Sequence, residues 1–269
     1  MFIEMLTYPF MQRALICGTL IALCSALLGV CLVLKRYSMI GDGLSHVSFG
    51  AMSIASAVGL APLGFAIPVV MAAAVFLLRI SERKKIKGDS AIALISTASL
   101  AVGVTVTTFS QNSNIDLSGY MFGSILAIKS EDLILSIILS LVVVISFIVF
   151  YNRIFAVTFD ENFAASAGIK VGYYNMLIAM LTAVTVVLGM RLTGALLISA
   201  LIIFPPMSAM RVCRSFRAVV IVSAVISVVC FNVGLIASYF LATPAGASVV
   251  LVNIIVFAVF SLAAKIKSK

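Results

Sequence analysis

Long apolar stretches separated by short polar segments run through all 269 residues of this chain and constrain its fold most strongly. A helix needs roughly 20 apolar residues to cross the hydrocarbon core of a bilayer. Its backbone polar groups must also be satisfied internally. Hydrophobic residues make up 63% of the chain, and no hydrophilic block is long enough for a separate soluble domain. The sequence therefore predicts an all-α, polytopic integral membrane bundle that forms a single domain over residues 1–269.

Nine segments have the length and composition of membrane spans, and we expect eight or nine transmembrane helices. The expected spans are 14–34, 40–60, 63–80, 90–109, 132–151, 172–190, 194–210, 218–241 and 247–264. Eight is the alternative, if residues 1–34 or one short span do not make a full crossing.

The formal net charge of +9 reflects clusters of Lys and Arg in the loops between the apolar segments. If residues 35–36 lie in the cytoplasm, alternation of nine spans places every basic residue there except Arg13, Lys129 and Arg191. Cytoplasmic loops of membrane proteins carry such an excess, so we expect an outer N-terminus and a cytoplasmic C-terminus. A nucleic-acid-binding protein would instead gather its positive charge on one soluble face.

The single histidine, His46, stands four residues after Asp42 in the second expected span. On a helix this spacing puts a carboxylate and an imidazole on one face. Ionisable groups at membrane depth are costly and point to an ion or proton pathway. An oxygen and a nitrogen ligand suit zinc or manganese, so we predict that Asp42 and His46 bind metal. A structural carboxylate–imidazole hydrogen bond near the helix start is the alternative.

One such pair is too small for a four-ligand zinc site. A two-fold homodimer with Asp42 and His46 near its axis would bring two carboxylates and two imidazoles together, and symmetric dimers are the commonest oligomers. A site built in this way would bind transiently, as conduction requires.

The segment 114–128 is too apolar for a solvated loop and too short for a further crossing. We expect a half-inserted or interfacial helix on the outer side, where such elements are tolerated if they line a cavity. The residues assigned to this outer vestibule or gate are Tyr120, Phe122, Gly123 and Ser124. A hydrophobic cap over the bundle is the alternative.

The cytoplasmic loop at about 153–172 contains a second unusual segment. Asp160 and Glu161 are suited to the N-cap and first turn of a short helix, and Gly168 is suited to end it. A compact helix between two spans would dock into a groove of a partner, or would lie idle on the membrane surface. The residues assigned to this contact are Asp160, Glu161, Phe163, Ala164, Ala165 and Gly168.

Five segments, in order along the chain, resemble the permease subunits of metal-ion ATP-binding-cassette importers, the zinc and manganese uptake group. They are LKRYSMIGDGLSH (34–46), YMFGSILA (120–127), DENFAASAG (160–168), GALLISALIIFPP (194–206) and TPAGASVVL (243–251). Gly43 departs from the Ala or Thr of many relatives. Phe204-Pro205-Pro206 stands where Ile-Pro-Ala is common, and we expect these prolines to kink the seventh span differently.

The resemblance implies a transporter in the cell membrane of a prokaryote, with a pore of two permease copies. Two cytoplasmic ATPase subunits would drive it through the helix at 160–168, and an extracytoplasmic binding protein would deliver the metal. The chain has no Gly-x-x-x-x-Gly-Lys-Ser/Thr motif, so we expect a transport subunit rather than an enzyme, without a permanently bound cofactor. The run Leu44 to Ser48 resembles zinc permeases more than manganese ones. Iron, and a paralogous partner permease, stay open.

Two other classes of function fit the sequence less well. A proton-coupled secondary transporter would use Asp42 and His46 as a proton relay, but it would be favoured by an inverted repeat, and the sequence has no convincing repeat. An intramembrane metalloprotease would need a His-Glu-x-x-His pattern, which a chain with one histidine cannot supply.

Overall fold

A computed structural model describes residues 7–82, 88–110 and 130–267, and the regular elements in these ranges are all helices. They are α1 (Pro9–Leu34), α2 (Ile40–Val58), α3 (Pro62–Glu82), α4 (Gly88–Phe109), α5 (Ser130–Val149), α6 (Tyr151–Phe159), α7 (Glu161–Ser166), α8 (Val171–Thr193), α9 (Ala195–Val212), α10 (Phe216–Leu241) and α11 (Ala245–Lys267). The prediction of an all-α membrane bundle is confirmed.

Nine of these helices coincide with the nine predicted spans. Seven of them, all but α2 and α5, are individually long and apolar enough to cross a bilayer, and the bent pair α5–α6 makes an eighth. The ninth long helix, α2, is less apolar because it carries Asp42, His46 and several Gly and Ser residues. It is largely buried, and it packs against α3, α4, α8 and α9.

Helix α1 forms the centre of the bundle, where it packs against α5, α8, α9 and α10. It runs antiparallel to α8: Ile21 packs beside Gly189, and Lys35 binds Asn175. It runs parallel to α9, since the Gly29 backbone lies against Pro206. The C-terminal ends of α1 and α9 and the N-terminal end of α8 therefore share one end of the bundle.

This end carries most of the positive charge of the described residues, and we call it the basic end. Its residues are Lys35, Arg36, Arg79, Arg153, Lys170, Arg211, Arg214, Arg217 and Lys265. Arg13 and Arg191, near the start of α1 and the end of α8, lie at the opposite end. The described part of the chain thus has the charge segregation of a protein whose basic loops face the cytoplasm.

The predicted span 132–151 corresponds to α5, and the chain bends sharply just after this helix. Helix α5 ends at Val149, α6 begins at Tyr151, and the two axes differ by 73°. Phe155 and Phe159 of α6 pack on Phe216 at the start of α10, with ring centroids 5.0 and 5.9 Å apart. These aromatic contacts hold α6 across the end of the bundle, so the predicted loop contains a helix before α7.

Helix α2 packs very closely against α4. A Cβ atom added at Gly43 would lie 2.5 Å from Ile92 Cγ2, and one added at Gly50 would lie 2.7 Å from the Ser99 carbonyl oxygen. Glycines allow two helix backbones to approach this closely, as is common in membrane bundles. Gly43 is therefore matched to Ile92 in this fold.

Candidate metal site and coupling helix

Asp42 and His46 lie on one face of α2, one turn apart, as their spacing predicts. Asp42 Oδ2 and His46 Nε2 are 3.8 Å apart, which is longer than a hydrogen bond. Asp42 also lies in the first turn of α2, where the helix dipole stabilises a carboxylate. The structure thus brings the two side chains together without a direct hydrogen bond between them.

Ser199 of α9 is a third polar group at this site, and sequence reasoning did not single it out. Its hydroxyl oxygen lies 3.5 Å from Asp42 Oδ1 and donates a hydrogen bond to the Ala195 carbonyl at 3.1 Å. The segment 194–206 was identified only as a whole, because no local pattern marks one serine as facing a carboxylate 157 residues away.

Both site side chains are partly accessible, although the rest of the first turns of α2 is buried. The exposed fraction is 42% for Asp42 and 24% for His46. Beside them, one face of α9 carries side chains that are also partly or fully exposed. We call this surface the α2–α9 face, and its residues are Asp42, His46, Leu196, Ser199, Ile203, Met207 and Met210. The candidate ligands thus lie at the edge of one chain, not in its interior.

The described residues contain no group of three or more His, Cys, Asp or Glu side chains that could hold a metal ion. Cys17, Cys24 and Cys31 are buried along one face of α1, and Cys24 donates to the Ser140 carbonyl. They therefore act as packing residues within α1. One copy of the described chain provides at most the Asp42–His46 pair, with Ser199 beside it.

The short cytoplasmic helix forms as predicted, with α7 between α6 and α8. The Asp160 carboxylate caps it by accepting from the Asn162 and Phe163 backbone amides at 2.9 and 3.0 Å. Gly168 follows its end with φ +78°, a left-handed conformation that favours glycine. Sequence and structure agree on where this helix begins and ends.

The predicted contact residues of α7 divide into two groups. Ala164 is buried against α6 and α8, so it holds the helix to the bundle. Phe163 is 68% exposed, and Ala165 is exposed as well. Asp160, Glu161 and Gly168 are exposed too, so every predicted contact residue except Ala164 is available to a partner.

Lys35 at the end of α1 joins α7 to the bundle, a role that sequence reasoning missed. Its ammonium donates to Glu161 Oε1 and, at 2.7 Å, to Asn175 Oδ1 of α8. Asn175 also donates to Glu161 Oε1 at 3.1 Å. We call these three residues the Lys35 clamp. From the sequence alone, Lys35 indicates only that its loop faces the cytoplasm, because both of its partners lie more than a hundred residues away.

The clamp sets the charge of Glu161. Burial raises the pKa of this carboxyl, but the hydrogen bonds from Lys35 and Asn175 and the charge of Lys35 outweigh that effect. The pKa of Glu161 therefore lies below its ordinary value of 4.5. Glu161 is ionised at neutral pH, and the clamp is intact there.

The predicted vestibule residues Tyr120, Phe122, Gly123 and Ser124 lie outside the described residues. The flanking helix ends, Phe109 and Ser130, lie at the end of the bundle opposite the basic end, since α4 runs parallel to α2. The prediction of an outer gate stays a prediction.

Comparison with known proteins places this architecture. Residues 7–264 match the ABC 3 transport family. The manganese transport system membrane protein MntC of Listeria monocytogenes is 27% identical over 96% of this chain and 92% of its own length. The high-affinity zinc uptake system membrane protein ZnuB of Buchnera aphidicola is 32% identical over 87% of this chain and 90% of its own length. The solved structure of PsaBC from Streptococcus pneumoniae, in complex with a Fab, is similar with a TM-score of 0.86 and 26% identity, over 97% of this chain and 95% of that one.

The fold and these matches define a multi-span transport permease of a prokaryotic cell membrane. The chain belongs to the ABC 3 transport family. Its relatives include membrane proteins of transport systems that are named for manganese and for zinc. The resemblance in the sequence is thereby confirmed.

Proposed function

We propose that this chain is the permease of an importer that moves a divalent metal ion into the cytoplasm, with zinc favoured and manganese next. The whole chain acts as one permease domain. ATP hydrolysis comes from a separate cytoplasmic ATPase subunit that docks on α7, and an extracytoplasmic binding protein delivers the ion. The observation that carries the proposal is the Asp42–His46 pair. Both side chains are partly exposed on α2, which is the least apolar of the long helices in the described ranges.

The position of this pair favours a homodimer. Two chains related by a two-fold axis along the α2–α9 face place two carboxylates and two imidazoles around one ion. The same contact covers the exposed Leu196 and the partly buried Ile203, which flank Ser199 on α9. One self-complementary surface then completes the ligand set and closes the path to lipid.

The donor set bears on the metal. Two oxygen and two nitrogen ligands match the tetrahedral preference of zinc. Manganese prefers more oxygen ligands and a six-coordinate geometry, which the pair would reach only with added water or serine oxygens. Zinc is therefore the favoured substrate. For manganese, the Ser199 hydroxyl would supply an additional oxygen ligand.

The coupling route follows from the Lys35 clamp. Movement of α7 by a docked ATPase is transmitted through Glu161 to Lys35 at the end of α1. Lys35 is seven residues before Asp42, and Arg36, with φ +61°, turns the chain between them. A residue other than glycine held in this conformation stores some strain, which makes the corner between α1 and α2 a suitable hinge.

The test is ATP-dependent uptake of zinc and of manganese into proteoliposomes that contain the permease, the ATPase and the binding protein. Asp42→Asn and His46→Ala should each abolish uptake, because each removes two of the four shared ligands from the dimer. Ser56→Ala, on the same helix and away from the pair, is the matched control and should retain uptake.

Two results would contradict the proposal. Normal uptake by both site variants, at equal insertion and expression, would exclude the pair as the metal site. Uptake driven by a proton gradient without ATP would instead make the protein a secondary transporter.

A further inference from the structure

A polar cleft at the basic end has no part in the metal path. It has a volume of about 520 Å³ and is lined by Arg153 of α6, by Lys170, Tyr173 and Tyr174 at the start of α8, and by residues 167–169. The Asp42–His46 pair does not line it. The cleft is open to the surface, because Arg153, Lys170 and Tyr173 are exposed.

The cleft lies at the depth of the lipid headgroups. Helix α8 begins at Val171 and is a membrane span, so Lys170 stands at the point where this helix leaves the bilayer. Helix α6 turns away from α5 by 73° and forms the other wall. Tyr173 and Tyr174 lie in the first turn of α8, and tyrosines concentrate at this interface, where the ring is apolar and the hydroxyl is hydrated.

The charge of the cleft is positive. Arg153 Nη1 donates to the Tyr174 hydroxyl at 2.7 Å, and its guanidinium lies 5.9 Å from the centroid of that ring. Tyr174 is buried, so this contact holds the guanidinium in place while its other N–H donors stay available. Lys170 adds a second positive charge.

Acidic side chains do not compensate this charge. None of the residues that line the cleft is acidic. Of the described acids near α7, Asp160 caps the helix and Glu161 binds Lys35. The cleft therefore presents an oriented guanidinium and an ammonium to an anion.

We propose that this cleft binds a phosphate group, supplied by the headgroup of an anionic phospholipid or by free phosphate. Arginine and lysine together suit a phosphate, since guanidinium donates paired hydrogen bonds and ammonium acts as a point charge. Basic pockets at the cytoplasmic ends of spans bind anionic headgroups. The exposed ring of Tyr173 and the partly buried Ile169 suit the glycerol and upper acyl chain of a lipid. The lipid is therefore the favoured source.

The experiment is native mass spectrometry of the purified permease, released from nanodiscs that contain equal amounts of phosphatidylglycerol and phosphatidylcholine. The test variants are Lys170→Gln and Arg153→Gln/Lys170→Gln. The matched control is Arg214→Gln/Lys265→Gln, which removes one arginine and one lysine from exposed positions elsewhere at the basic end. Since Arg153 holds Tyr174, the thermal stability of each variant is measured, and the single variant Lys170→Gln keeps the test valid if the double variant unfolds.

A lipid site predicts that wild type and control retain phosphatidylglycerol several-fold more than phosphatidylcholine, and that Lys170→Gln reduces this preference. A free-phosphate site predicts equal retention of both lipids, with inorganic phosphate raising the melting temperature of wild type and control but not of the test variants. If neither lipid preference nor phosphate stabilisation depends on Lys170 and Arg153, the proposal is wrong. Loss of ATPase co-purification in the test variants, without either effect, would assign the cleft to the subunit interface instead.

Discussion

The Lys35 ammonium, at the end of α1, binds the Glu161 carboxylate, in the first turn of α7, across 126 residues of sequence. The lysine side chain is only 9% exposed, whereas that of Glu161 is 54% exposed. The ion pair therefore has one end inside the bundle and the other on the cytoplasmic helix. This arrangement is suited to carry a displacement of α7 toward the Asp42–His46 pair.

Removing the positive charge of the clamp should weaken the link between ATP hydrolysis and transport. An ion pair with one half-exposed partner contributes on the order of 1 kcal/mol, which corresponds to roughly a fivefold change in a rate. Lys35→Met should therefore lower the number of ions transported per ATP about fivefold in proteoliposomes, while the ATPase subunit still co-purifies.

Lys35→Arg is the control for this prediction, because it keeps the charge and should preserve most of the coupling. A normal transport ratio for Lys35→Met would show that α7 acts on the bundle by another route. Loss of co-purification would point to a purely structural role in subunit assembly.

Acid should open the same clamp. The pKa of Glu161 is lowered in the folded protein, so its stabilising contribution is present at neutral pH and above its ordinary value of 4.5. That contribution disappears as the pH falls through the lower pKa of the folded state. The difference in melting temperature between wild type and Glu161→Gln should accordingly be positive at pH 7 and should shrink below about pH 4.5. A difference that does not change with pH would mean that ionisation of Glu161 does not matter.

The close contact between α2 and α4 predicts a coupled pair of substitutions. Gly43→Ala places a Cβ atom 2.5 Å from Ile92 Cγ2, and such overpacking costs about 1–3 kcal/mol. The melting temperature, followed with a thiol-reactive dye that reports exposure of the buried cysteines, should fall by several degrees. In an Ile92→Ala background the same substitution should cost less.

Gly64→Ala in α3 is the matched control, since the added Cβ atom would meet nothing closer than 3.9 Å. It should leave the melting temperature unchanged or raise it, because alanine has a higher helix propensity than glycine. Equal effects of Gly43→Ala with and without Ile92 would contradict the packing described here.

Two charge insertions in α7 should have different consequences. Phe163→Asp changes a side chain that is 68% exposed, so the permease should fold normally but lose the ATPase subunit on purification, because an unpaired charge would enter the interface. Ala164→Asp buries a charge against α6 and α8 and should lower the stability of the permease itself. Asn152→Asp, on the exposed side of α6, is the control for added charge. Retained co-purification of Phe163→Asp would make α7 a surface element without a docking role.

The sequence was sufficient for features that depend on neighbours within one turn. The spacing of Asp42 and His46 determines their shared face, and the N-cap of Asp160 and the left-handed Gly168 determine the limits of α7. Hydrophobic length alone identified nine long helices. These features require no knowledge of which helices pack together.

The features that sequence reasoning missed depend on packing between distant segments. Helix α6 lies in the segment expected to be a loop, and its position depends on the contacts of Phe155 and Phe159 with Phe216 at the start of α10. Ser199 and Asn175 became partners of Asp42 and Lys35 only through the order of helices in the bundle. No local pattern contains that order.

In the proposed dimer, two chains share one metal ion through Asp42 and His46. Equilibrium dialysis of the purified permease dimer against zinc, with elemental analysis of bound metal, measures this most directly. We expect one zinc ion per two chains, and loss of that ion in both Asp42→Asn and His46→Ala. One ion per chain, or zinc retained by both variants, would contradict it.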